Sequence, residues 1–166
     1  ESNGNANMIF VDGGNDHVNI GTATDLGGTL NVQGAAVFSL TGNGDTLTLT
    51  STDADAAQGP NLRLYRNSAS PADNDVLGII EFEGRNDNSQ DFIAVQMESL
   101  VSDVSDGTED AYLNISTMLA GSLRSRIEMD PAETVINEAS QDLDFRVESN
   151  GNTHAFFVDA GLNCIM

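Results

Sequence analysis

Pairs of acidic residues are the first feature of this sequence that could carry chemistry. Glu81 and Glu83 lie two positions apart in an alternating stretch, and Asp142 and Asp144 have the same spacing. On a β-strand such residues point to one side, with Cα atoms about 6.5 Å apart, and carboxyl pairs are the groups that cleave glycosidic bonds. However, a solvated strand face explains the same pattern, and nothing in the sequence would raise the pKa of a general acid. We therefore predict no catalytic residue and no enzyme.

An acidic loop is the second candidate for chemistry. The stretch SDVSDGTED places four carboxylates within eight residues, and Ca²⁺ prefers oxygen ligands of this kind: Asp103, Asp106, Glu109 and Asp110. Their spacing differs from that of a calcium-binding helix–loop–helix motif, and GGNDHVNI and TGNGDTL miss the register of calcium-binding nonapeptides. A solvated loop is the favoured interpretation. Calcium remains the one candidate ligand, and no other cofactor is predicted.

The remaining reactive side chains are isolated. His17 and His154 have no second ligand at metal spacing, and Cys164 has no basic neighbour to lower its pKa. The arginines are more informative because they come in pairs, Arg63 with Arg66 and Arg124 with Arg126, the latter predicted to share one strand face. We expect them either to bind carboxylates of neighbouring strands or subunits or to form ordinary surface ion pairs.

The charge balance excludes whole classes of partner. The chain has 26 acidic residues against six basic ones, all six of them arginine, which gives a net charge of −20. A basic stripe for nucleic acid is therefore missing, and an anionic membrane surface would repel the chain. No apolar run is long enough to cross a bilayer, so we also predict no membrane insertion. Such a surface suits a saline medium, where ions screen the repulsion between charges.

Alternation of apolar and polar residues dominates the chain and predicts β-strands. The stretches TLTLTST and LDFRV show it clearly, and three longer stretches predict one apolar side each: Ile93, Val95 and Met97; Leu113, Ile115, Thr117 and Leu119; and Leu123, Ile127 and Met129. No window carries apolar residues at helical spacing. The fold class we predict is all-β with little or no helix, combining an elongated strand-and-turn stem with a small antiparallel β-module.

Turn residues separate these stretches and indicate how the chain is divided. Asn-Gly at Asn3, Asn43 and Asn150, and Asp-Gly at Asp12 and Asp106, favour tight turns between strands. Short strands with glycine between them fill the first part of the chain, and longer strands follow. We predict a stem over residues 1–55, a β-sandwich-like module over 56–136, and the start of a next repeat over 137–166.

The third segment follows from an internal repeat. ESNGNANMIFVDGG begins at Glu1 and ESNGNTHAFFVDAG at Glu148, and nine of the fourteen positions agree. A unit of 147 residues that begins again is typical of a tandem array, in which neighbouring units stack along one axis. We therefore expect the chain to be a piece of a longer protein. The two copies then diverge, because the second continues as AGLNCIM and the first as GGNDHVNIGT.

Four segments of the chain resemble the repeated segments of phage tail fibre proteins, particularly those of marine phages: FVDGGNDHVNIGT, GGTLNVQGAAVF, PNLRLYRNSASPADNDVLGIIEFEG and DGTEDAYLNISTMLAGSLRSRIEM. The resemblance implies an elongated, β-rich homotrimer on the virion, outside the host cell. It implies as partners the other chains of the trimer and the neighbouring fibre segments. Its motifs are structural and name no ligand.

A fibre segment of this kind could be a shaft or a receptor-binding tip. Glycan platforms need exposed aromatic side chains, whereas this chain has no Trp and two Tyr, and Phe82, Phe145 and Phe157 fall in strand contexts. A host surface glycan is thus a weaker candidate partner, and a spacer that presents the host-binding tip is the favoured function. Two alternatives stay open: a polysaccharide-degrading tailspike segment and a cation-stabilised bacterial adhesin repeat.

Overall fold

A computed structural model of the chain describes residues 9–22, 24 and 26–165, and it contains strands, turns and loops but no helix in those residues. The prediction of an all-β fold is confirmed. The chain divides into two compact units, Glu1–Asn61 and Leu62–Met166. The strands of the first unit are β1 (Ile9–Asp12), β2 (His17–Ile20) and β3 (Leu30–Val32). Those of the second are β4 (Asp75–Arg85), β5 (Asp91–Asp103), β6 (Asp110–Leu119), β7 (Ser122–Met129), β8 (Thr134–Ile136), β9 (Phe145–Ser149), β10 (Asn152–Asp159) and β11 (Cys164–Ile165).

The three short strands of the first unit form one mixed sheet. β1 and β2 are antiparallel and joined by a four-residue turn, whereas β3 runs parallel to β2 and pairs Asn31 with Asn19. No strand forms between Val32 and Asp75, so the strand predicted in TLTLTST is absent. A strand needs a neighbour to satisfy its backbone N–H and C=O groups, and alternation alone does not supply one. The predicted turn at Asn3 lies outside the described residues.

Five strands of the second unit, β4 to β8, form an antiparallel sheet in which each strand pairs with the next along the chain. Every connection is therefore a hairpin, and one of them is a two-residue turn at Ala120 and Gly121, both with positive φ, which no Asn-Gly or Asp-Gly signal marked. A β-sandwich requires two facing sheets. The described residues of the predicted sandwich-like span form this single sheet and no second layer.

Four β-bulges interrupt this sheet and change which side chains share a face. Two of these bulges matter for the site. In β5, Phe82 pairs with Val95 and Glu83 with Ile93, so Ala94 is left without a partner in β4. In β7, Arg126 is the residue left without a partner in β6. Beyond each bulge the alternation is reversed. The predicted grouping of Ile93 with Val95 and Met97 is therefore wrong.

The last three strands, β9 to β11, form a separate antiparallel sheet that repeats the first hairpin of the chain. Val158 pairs with Ile165 and Asp159 with Cys164, which is the register of β1 and β2 displaced by 147 residues. The turn also agrees, because the positive φ of 52° at Asn163 matches that of 59° at Asp16. The two copies keep one register although their sequences diverge after the turn.

No apolar side chain of the described residues is buried. The residues that are buried are polar: Asn19, Thr22, Asn31 and Ser116. Large apolar side chains stay partly exposed in both units. A single chain of this protein therefore has no hydrophobic core in its described part.

Candidate functional site

The five-stranded sheet has two chemically different faces, which follow from the register of its strands. One side, here called the apolar face, carries mainly hydrocarbon side chains: Ile80, Phe82, Val95, Met97, Leu113, Ile115, Ile127, Met129 and Ile136. The other side, here called the acidic face, carries carboxylates and neutral polar groups together with apolar side chains. The polar residues are Glu81, Glu83, Gln96, Glu98, Asn114, Ser116, Ser125 and Glu128, and the apolar ones are Val76, Ile79, Ile93, Leu100, Met118, Leu123 and Val135. The sequence predicted amphipathic strands, but its grouping of Leu123 with Ile127 and Met129 is wrong, because the bulge at Arg126 places Leu123 on the acidic face.

The apolar face is only partly covered by the rest of its own unit. Phe82 is 57% exposed and Ile136 44%. The strands β9 to β11 do not pack on this sheet, and Leu64, in the segment before β4, lies against Gly78. A Cβ atom on Gly78 would come within 3.0 Å of Leu64, so this one contact is close. Ile80 and Met129 are exposed as well, whereas the central residues of the face are half-buried: Val95, Met97, Leu113, Ile115 and Ile127.

Four of the six arginines form an ion pair or a cation–π contact within the described chain. Arg66 pairs with Asp75 at 2.7 Å, Arg85 with Asp91 at 2.7 Å, and Arg146 with Glu148 at 2.6 Å. Arg63 lies over the ring of Tyr65, with its guanidinium carbon 4.3 Å from the ring centre. These contacts are mostly exposed and contribute little to stability. These contacts agree with the interpretation of the arginines as forming ordinary surface ion pairs.

The other two arginines, Arg124 and Arg126, lie on the apolar face. Sequence alternation placed Arg124 on the side opposite to Ile127, but the bulge at Arg126 brings it to the same side, in register with Thr117. Arg126 donates its Nε hydrogen bond to Thr117 Oγ1. The Nε of Arg124 is buried and has no hydrogen-bond partner. Neither guanidinium forms an ion pair with a carboxylate of the described residues.

The acidic face concentrates negative charge around Tyr112. Burial, a hydrogen bond to Glu128 and the charges of Glu128, Glu98 and Glu138 raise the pKa of Tyr112 to about 12. Glu98 and Glu128 face the same side of the sheet, on either side of Asn114. Both are half-buried, and within the described chain neither pairs with a cation.

The two predicted carboxylate pairs differ in outcome. Glu81 and Glu83 do lie on one face of β4, where Glu81 accepts a 2.8 Å hydrogen bond from Gln96 Nε2. By contrast, Asp142 and Asp144 diverge. Asp142 lines a cavity of about 490 Å³ together with Asn137, Ser140, Gln141, Ala160, Gly161 and Asn163. Asp144 lines a different one of about 500 Å³ with Phe145, Arg146, Glu148, His154 and Phe157.

A carboxylate neighbour that the sequence did not indicate lies beside Asp142. Asp142 and Asp159 both lie beside Gly161, since a Cβ built on Gly161 would be 3.3 Å from Asp142 Oδ1 and 3.4 Å from Asp159 Oδ1. Asp159 Oδ1 also accepts a 2.7 Å hydrogen bond from the Leu162 N–H, and Asp144 Oδ1 accepts one from the Ala160 N–H. Backbone N–H groups of the turn therefore already donate hydrogen bonds to the carboxylates of Asp159 and Asp144.

The acidic loop is held together by its own backbone. Asp103 ends β5 and accepts a 2.8 Å hydrogen bond from the Ser105 N–H, while Glu109 Oε2 accepts one from the Gly107 N–H. Hydrogen bonds from Ser105 lower the pKa of Asp103 below its ordinary value. Asp110 begins β6, and Asp106 lies in the loop between the strands. In the described part of the chain no group of three or more acidic, His or Cys side chains is placed to hold a metal ion.

The two histidines and the cysteine lie in three different strands. His17 begins β2, and Cys164 occupies the equivalent position in the second hairpin, at the exposed start of β11. His154 lies in β10, with its ring centre 4.9 Å from that of Phe157 in an edge-to-face arrangement. His17 thus belongs to the first unit and His154 to the second.

Among the described residues, the five-stranded sheet carries arginines without an ion pair on one face and carboxylates without a cation on the other. No family model, curated protein or solved structure matches the chain. Among the described residues, no helix has the length and apolar character needed to span a membrane. The functional argument therefore depends on the two faces of the sheet and on the repeated hairpin.

Proposed function

We propose that this chain is a structural, non-enzymatic segment of a phage tail fibre, which folds as a homotrimer and spaces or presents the host-binding tip of the virion. The observation that carries the proposal is the absence of any buried apolar side chain in the described residues. A fold of this size needs a packed core, and the missing core is completed by other copies of the chain.

The energetic reason lies in the apolar face. Each large apolar side chain moved from water to a packed interior contributes about 1.5–3 kcal/mol, and stable β-folds consist of at least two packed layers. The five-stranded sheet provides one layer whose hydrocarbon side chains remain accessible to water. Packing against further copies supplies the second layer, as is usual in intertwined fibrous proteins.

The repeated hairpin supports a tandem arrangement. β1–β2 and β10–β11 share register and turn geometry at a separation of 147 residues, so the repeat is one of structure as well as of sequence. Repeats of this kind favour an array in which neighbouring segments of the fibre are further partners. The resemblance of four segments to phage tail fibre repeats supports the virion setting.

The test is the molar mass of the purified segment in solution, measured by light scattering after size-exclusion chromatography. We expect about three times the chain mass of 17.5 kDa. A folded monomer at micromolar concentration would contradict the proposal. The non-enzymatic part is tested by incubation with polysaccharides of candidate hosts, and release of reducing ends well above a boiled-protein control would contradict it.

A further inference from the structure

The two unpaired arginines of the apolar face require acceptors from outside the described chain. Arg124 and Arg126 are half-buried among hydrocarbon side chains, and the buried Nε of Arg124 has no partner. A cation that is removed from water without a counter-charge is costly, and covering this face would bury it further. Whatever covers the apolar face must therefore bring carboxylates to these two positions.

A second copy of the chain offers such carboxylates, but not on its own apolar face. Among the described residues the carboxylate on that face is Asp75, which is already paired with Arg66 at 2.7 Å. An isologous contact, in which two apolar faces meet about a twofold axis, would bring four arginines together without free acceptors. The charges thus disfavour a twofold dimer.

The acidic face supplies what the apolar face lacks. Glu98 and Glu128 are half-buried there and have no cation partner in the described chain. The charges of Glu98 and Glu128 add to the burial that raises the pKa of Tyr112 on this face. Unpaired cations on one face and unpaired carboxylates on the other are complementary between copies. Contacts between two different patches are heterologous, and they close into a ring such as a trimer only where the rotation from one copy to the next closes.

We propose that the apolar face docks heterologously on the acidic face of a second copy of this chain, where Arg124 and Arg126 form ion pairs with Glu98 and Glu128 of that copy. The inference rests on the proposed function, because it assigns the contact that completes the homo-oligomer. Arginine suits this position since its planar guanidinium binds carboxylates through two parallel hydrogen bonds.

Charge reversal tests the assignment in the full chain. The double variant Arg124→Glu/Arg126→Glu should raise the apparent dissociation constant of the oligomer by about a hundredfold or more, measured by sedimentation equilibrium at 0.15 M NaCl. Arg85→Glu/Arg146→Glu is the matched control, because it changes the net charge equally at two exposed arginines that pair within the chain. The control should assemble like the unmodified protein.

Rescue distinguishes a broken contact from a failure to fold. Glu98→Arg/Glu128→Arg should also lose assembly, and the quadruple variant that combines both reversals should regain it, because every heterologous contact again joins opposite charges. If the quadruple variant stays dissociated while the control assembles, the assignment is overturned.

The remaining outcomes separate this inference from the proposed function. If Arg124→Glu/Arg126→Glu assembles as tightly as the control, the inference alone is overturned and the trimer proposal stands. An unmodified chain that is monomeric would overturn both.

Discussion

Asn31 Nδ2 donates a 2.7 Å hydrogen bond to Asn19 Oδ1 across the parallel strands β2 and β3. The same Asn31 side chain accepts from the Gly28 N–H at 3.0 Å and donates to the Gly28 carbonyl at 2.7 Å. Both asparagines are buried, Asn19 completely. In the first unit, these side-chain amides therefore take the place that a hydrophobic contact would usually hold.

Asn31→Ala should destabilise the first unit. The substitution removes three hydrogen bonds and leaves the buried Asn19 amide without its donor, a loss of about 1–3 kcal/mol in the free energy of unfolding. The urea midpoint at fixed chain concentration measures it. Asn43→Ala, at an exposed bend, serves as the control and should leave the midpoint unchanged. Equal midpoints for the two variants would show that the buried amide pair does not stabilise the fold.

Ala120→Asn should stabilise the hairpin between β6 and β7. Ala120 and Gly121 have φ of 48° and 82°, the pattern of a type I′ turn, for which Asn-Gly is the preferred pair. Alanine is strained in this conformation, so we expect a gain of about 0.5–1 kcal/mol. Thermal melting checks it beside Ala56→Asn, a control in an exposed loop. A melting temperature that falls, or that matches the control, would count against the turn assignment.

Tyr112 should titrate well above an ordinary tyrosine. Its pKa of about 12 exceeds the ordinary value of 10.0 chiefly because of burial, and then because of Glu128. Since the folded state favours the neutral phenol, its contribution to stability is full below pH 10 and is lost as the pH rises from about 10 to 12. The chain has two Tyr and no Trp, so phenolate absorbance of a Tyr65→Phe variant reports on Tyr112 alone.

A second substitution separates the causes of this shift. Glu128→Gln removes a charge but leaves most of the burial, so the pKa of Tyr112 should fall part of the way towards 10.0. Circular dichroism at each pH establishes that the protein is still folded. Titration of the folded Tyr65→Phe variant near pH 10 would contradict the buried, acid-lined setting of Tyr112.

Removing salt should destabilise the assembled protein. With a net charge of −20 per chain, copies repel each other, and the screening length grows from about 8 Å at physiological salt to about 30 Å at 0.01 M. We expect the melting temperature to rise with NaCl at neutral pH. A melting temperature independent of NaCl would show that the charges are already neutralised within the assembly.

Calcium at constant ionic strength tests the acidic loop separately. Asp103 and Glu109 accept hydrogen bonds from loop N–H groups, so we expect millimolar CaCl₂ to act as any other salt of equal ionic strength. MgCl₂ is the matched control. A further rise in melting temperature specific to calcium, abolished by Asp106→Asn/Asp110→Asn, would instead assign an ion site to this loop.

The sequence by itself determined the all-β class, the long strands and the hairpin repeat. Alternation is a local property, because consecutive side chains of a strand point to opposite sides whatever the fold. It therefore predicted the apolar side of β6, with Leu113 and Ile115 together, and the shared face of Glu81 and Glu83. The repeated Val-Asp-x-Gly stretch likewise carried its own turn chemistry, which the two hairpins share.

Only the tertiary structure decided which strands pair and which face each side chain occupies. A bulge depends on the register between two strands, so the reversal at Arg126 that brings Arg124 to the apolar face has no local signal. The same reason explains TLTLTST, where Leu47 and Leu49 alternate with threonine but have no partner strand among the described residues. Pairing between distant segments, unlike alternation, is set by the fold as a whole.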